Sequence, residues 1–75
     1  MINRNMLVEM LDGGYDINYR KLSLSKYFRM RRTFFQVHCD DYRQQFSELY
    51  KDINDAVDKF VELKNKLYRK VENNE

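Results

Sequence analysis

Proline and tryptophan are absent from this 75-residue chain, and its two glycines stand side by side at Gly13-Gly14. With no proline to interrupt hydrogen bonding and almost no glycine to loosen the backbone, the composition favours long uninterrupted helices. The single cysteine, Cys39, excludes an internal disulfide, and with it a secreted disulfide scaffold. One histidine beside that cysteine is too few donors for a structural zinc site, so neither metal nor cofactor is expected. No run approaches the roughly 18 apolar residues of a membrane-crossing helix. The N-terminal apolar stretch from Met6 to Leu11 is too short for a signal-peptide core and is broken by Glu9, and Ile2 stands where N-myristoylation needs glycine. A cytoplasmic protein without a membrane partner is the expectation.

Catalytic constellations are missing too. There is no glycine-rich phosphate loop, metal-spaced cluster or carboxylate pair. His38, Cys39 and Asp40 juxtapose a nucleophile with a base, but adjacent residues of a helix point about 100° apart and cannot form a relay. Cys39 instead reads as a small buried thiol. The chain is not expected to be an enzyme.

What the sequence does contain is a strong apolar rhythm. Tyr42, Phe46, Leu49, Ile53, Ala56, Phe60, Leu63 and Leu67 recur at alternating steps of four and three, with Val57 beside them. Such spacing places them on one stripe of a helix. The rhythm extends backwards through Cys39, Phe35 and Phe28, although Thr33-Phe34-Phe35-Gln36-Val37 also has the β-branched and aromatic content of a strand. The unbroken phase favours a helix over residues 26–71, bent near Asp40-Asp41. Ahead of it, Ile2, Met6, Leu7, Met10 and Leu11 share one face of a short helix over residues 2–12, capped by Asn3 or Asn5 and ended by Gly13-Gly14. Tyr15, Ile17 and Tyr19 alternate with polar residues and read as an ordered, extended loop.

The expected fold is therefore all-α, one domain over residues 1–75. The short helix covers about 16 Å at 1.5 Å per residue, against about 44 Å for the stripe from Tyr42 to Val71. The uncovered remainder predicts self-association of residues 40–71 through Tyr42, Phe46, Leu49, Ile53, Val57, Phe60, Leu63 and Leu67. Phenylalanines at the seam favour an antiparallel coiled coil or a helical bundle over a tight parallel dimer. The i,i+4 order of Asp55 with Lys59 and Glu62 with Lys66 marks the solvated face.

Charge gives the functional expectation. The net formal charge is only +2, yet between Asp16 and Asp40 there is no acid and there are six bases: Arg20, Lys21, Lys26, Arg29, Arg31 and Arg32. Such a cluster neutralises phosphates and releases counterions. Tyr19, Tyr27 and Phe28 are interleaved with it and are suited to stack on unpaired bases. The basic aromatic segment 19–38 thus suggests a non-enzymatic regulator or accessory factor that binds nucleic acid or a nucleoprotein complex. The competing expectation is a small inhibitor or adaptor that docks on a protein target, as phage factors do against host machinery. The abundance of Asn, Lys, Tyr and Phe fits an AT-rich, phage-like source.

Overall fold

The computed structural model describes residues 3–73. Its elements run α1 (Arg4–Asp12), β1 (Ile17–Tyr19), β2 (Leu22–Arg29), β3 (Arg32–Asp41), β4 (Gln44–Tyr50) and α2 (Ile53–Asn73). The four strands form one antiparallel meander in the order β1-β2-β3-β4, with the two helices laid on one face. The fold is α+β, which overturns the all-α expectation and with it the coiled coil or helical bundle.

The short helix forms close to where the apolar spacing put it. Asn3 caps α1 by accepting the Asn5 N–H at 2.7 Å, and Gly14 at φ 91° lets the chain turn away behind Gly13. Ile2, expected on its apolar face, lies outside the described residues. Leu7 and Leu11 are the side chains that α1 buries.

The expected helix over residues 26–71 is instead the second half of β2, all of β3 and β4, and most of α2. The heptad positions in its first half scatter. Phe28 sits on the exposed end of β2, Phe35 is buried in β3, Tyr42 occupies a turn, and Leu49 lies on the uncovered sheet face. The governing period is two. Leu22 and Leu24 lie opposite Cys39 and Val37, and Phe46 lies opposite Cys39 from the other side. Cross-strand partners share a face, so these side chains form the floor of the core.

From Ile53 onward the stripe is helical but serves a different surface. Ala56, Val57, Phe60, Leu63 and Tyr68 are buried against the sheet and α1, with Ile53 and Leu67 partly buried beside them. The sheet covers the length that α1 cannot. An amphipathic pattern states that a face must be buried; it does not name the covering element. The solvated face differs in detail, for Lys59 pairs with Glu62 at 3.2 Å and Lys66 donates to Gln44. None of the described helices is long and apolar enough to cross a membrane.

One end of the sheet is closed by a polar cluster. The buried Asp41 carboxylate accepts from the Arg43 backbone N–H at 2.9 Å, the Arg43 guanidinium at 3.0 and 3.1 Å, and the Tyr68 hydroxyl at 2.8 Å. This ties the β3–β4 turn to α2. The Arg43 contacts hold the Asp41 carboxyl well below the usual carboxylate range, and the carboxylate in turn raises the Arg43 guanidinium.

Candidate nucleic-acid interface

Strands β2 and β3 outrun the helices. Along β2 burial stops after Leu24, and on β3 it begins at Phe35, so the intervening hairpin projects past the core. Its register is unbroken: Lys26 faces Phe35, Tyr27 faces Phe34, Phe28 faces Thr33 and Arg29 faces Arg32. The connection is the two-residue turn Met30-Arg31, at φ 53° and 66°. Two successive positive φ values are what the tight I′ hairpin turn demands, and asparagine-glycine normally supplies them. Here two bulky side chains do, each at a cost of about 1–2 kcal/mol.

The tip is basic and apolar at once. Arg29, Arg31 and Arg32 are all exposed, and none has an ion-pair or hydrogen-bond partner for its side chain among the described residues. Arg29 and Arg32 lie directly opposite one another, an arrangement that repels. Phe28 and Met30 are 76% and 86% exposed. On the sheet face that no helix covers, Tyr27, Arg29, Phe34, Gln36 and Leu49, with Phe28 at the edge, line a shallow depression of about 290 Å³. Its floor is aromatic and Arg29 stands at its rim.

The six bases expected to act together are divided. Arg20 and Lys21 form the β1–β2 turn at the opposite end of the sheet, about 26 Å from Arg29 at 3.3 Å per residue. There the Arg20 guanidinium lies 5.0 Å from the Tyr68 ring and 5.9 Å from that of Tyr19. Arg43 lies 5.4 Å from the Tyr68 ring and Lys64 5.0 Å from the Tyr19 ring. Lys26 is engaged structurally, donating to the Asp12 carbonyl at 2.8 Å at the end of α1. Asp58 accepts from Arg4 at 2.7 Å and Glu62 from Lys59 at 3.2 Å, so these acids of α2 are engaged away from the hairpin. Tyr27 with Arg29, Arg31 and Arg32 therefore remain as one assembled group.

Of the residues expected to self-associate, Val57, Phe60 and Leu63 are interior, Phe46, Ile53 and Leu67 pack against the core, and Tyr42 and Leu49 are exposed. Charge and aromatic content did not single out Phe34, Gln36, Leu49 or Met30 as part of the site. Phe34 and Leu49 could have been found only from the strand alternation that puts them beside Tyr27. His38 lies on the uncovered face between Ser23 and Ser47, while Cys39 points into the core at 1% exposure. Adjacent strand residues face opposite sides, so these two do not form a relay. Among the described residues no group of three metal-ligating side chains converges. No family model, curated protein or solved structure matches the chain.

Proposed function

We propose that the protein is a non-enzymatic nucleic-acid-binding factor that uses the projecting β2–β3 hairpin to hold single-stranded or unpaired segments. The observation that carries this reading is the unpaired arginine trio at the tip, built on a strained turn with two of its members in mutual repulsion. Nothing in the fold gains stability from that arrangement, whereas an anion relieves the repulsion. Arg29 at the rim, with Arg31 and Arg32 on the adjoining tip, suits flanking phosphates, and the Tyr27–Phe34 floor with Leu49 suits the face of an unpaired base.

Fluorescence anisotropy with single-stranded and duplex oligonucleotides over a salt series tests it. Binding should fall log-linearly with salt and favour the single strand. The combined change Arg29→Glu, Arg31→Glu and Arg32→Glu should lower affinity at least a hundredfold and flatten the salt slope by about 2, at roughly 0.7 per lost phosphate contact. Tyr27→Ala should weaken binding by about 1–3 kcal/mol with the slope unchanged, as stacking carries no counterion release. Equal affinity in the triple variant, or no binding at low salt, rejects the reading.

The exposed Phe28 and Met30 favour one other reading, an adaptor or inhibitor that plants the same tip in an apolar pocket rimmed by acids on a protein target. In that case Phe28→Ala and Met30→Ala would abolish function while oligonucleotides fail to bind.

A further inference from the structure

The sheet has two edges, and they are built differently. Beyond β1, the open edge of β2 carries Lys26 and Arg29, charges of the kind that discourage strand addition. The β4 edge carries no basic residue. Its sequence Gln44-Gln45-Phe46-Ser47-Glu48-Leu49-Tyr50 contains one charge, no proline or glycine, and no bulge interrupts its register with β3.

The hydrogen-bond phase of that edge follows from the turns. The Asp40 N–H donates to the Lys21 carbonyl at 3.0 Å, so even-numbered residues of β3 bond towards β2 and odd-numbered ones towards β4. Through the register, Gln44, Phe46, Glu48 and Tyr50 bond back to β3. The backbone groups of Gln45, Ser47 and Leu49 point outward, and no backbone or side-chain group among the described residues meets them.

We infer that β4 is a homodimer edge, pairing antiparallel with β4 of a second copy about a twofold axis at Ser47. Gln45 then faces the partner's Leu49, and Ser47 faces its own copy. These are the residues whose donors and acceptors point outward, so about six inter-chain hydrogen bonds form without disturbing either sheet. The inner-face pairs between them set Glu48 opposite the partner's Phe46. In each chain the Lys59 ammonium lies 5.0 Å from the Phe46 ring, so each Glu48 carboxylate approaches a cation of the other chain. The twofold axis makes that complementarity reciprocal. The product is an eight-stranded sheet with all helices on one face and the two arginine tips at opposite ends.

The test is sedimentation equilibrium of the full chain from low micromolar to millimolar concentration, combined with cysteine crosslinking. The mass should approach that of a dimer. Paired residues at the axis have Cα atoms about 5.5 Å apart, within disulfide range. Ser47→Cys should therefore crosslink under mild oxidation. Gln45→Cys and Leu49→Cys should not do so alone, but should when mixed with each other. The native Cys39, 1% exposed, should stay silent. Ser47→Lys, which sets two ammonium groups face to face, should weaken association at least tenfold with the circular dichroism of the fold retained. Glu48→Lys should do likewise, and adding Lys59→Glu should restore it. A monomer throughout the concentration range overturns the inference. So does crosslinking of Gln45→Cys alone as fast as Ser47→Cys, or association indifferent to Ser47→Lys. None of these outcomes depends on nucleic-acid binding.

Discussion

At the residue scale, two side chains show how position sets what a charge does. Asp41 is the buried acid of the core, held ionised by Arg43 and hydrogen-bonded by Tyr68. Because its folded-state pKa is depressed, the unfolded chain takes up the proton more readily, so the stabilisation is complete above the ordinary aspartate range. It should begin to fade as pH falls past about 5 and continue to fade as the folded carboxyl itself protonates. Tyr68→Phe removes one donor to the carboxylate. It should cost about 1–2 kcal/mol at neutral pH and shrink the acid-linked loss, as measured by urea unfolding from pH 7 down to pH 3. Arg29, at the opposite end of the same sheet, has no such partner, and its charge remains directed at solvent. The sequence displayed both as ordinary charges.

At the element scale, the β2–β3 hairpin carries a conflict between stability and the tip it presents. Replacing Met30→Asn and Arg31→Gly supplies the residues an I′ turn prefers. The double variant should be more stable by about 1–2 kcal/mol, by relief of positive-φ strain, and should bind oligonucleotides less tightly for want of the Arg31 charge. Thermal unfolding and anisotropy on the same sample would check both halves. The same turn explains why the sequence does not announce this hairpin. None of the two-residue connections, Arg20-Lys21, Met30-Arg31 and Tyr42-Arg43, contains glycine, asparagine or proline, so no punctuation announces a hairpin. Alternation was blurred as well, since Lys26 and Glu48 lie on the inner register while Tyr27, Phe34 and Leu49 lie on the outer one. Aromatics on both faces of β2 and β3, with Leu49 on the outer face of β4, produced a spurious repeat of seven.

At the scale of the whole molecule, core and site are separable. The buried set ends at Leu24 on β2 and begins at Phe35 on β3, leaving the tip outside the helix-covered layer. Replacing residues 28–33 with Asn-Gly would close the hairpin on the pair Tyr27 and Phe34, which has the same hydrogen-bond phase as Arg29 and Arg32. The shortened protein should keep its circular dichroism and melt within about 4–8 °C of the parent, the equivalent of roughly 1 kcal/mol. Oligonucleotide binding should be lost. Cooperative unfolding that collapses in this variant would mean the hairpin belongs to the core.

By itself the sequence determined the α1 segment with its asparagine cap and glycine stop, and the helical stripe of the residues from Ile53 onward, though not where that helix begins. It also determined the concentration of positive charge between Asp16 and Asp40. Each is local: helix periodicity, capping and charge density are properties of neighbours in the chain. The tertiary structure alone decided that the α2 stripe is covered by a sheet of the same chain, that the buried Cys39 faces the core from a strand and not from a helical seam, and that Arg20 and Lys21 part company with the arginines of the tip. Those outcomes rest on strand register, a relation between residues such as Leu24 and Val37 or Cys39 and Phe46 that are distant in sequence. Pairing of that kind leaves in any single strand only a period of two, which a few exchanged side chains suffice to hide.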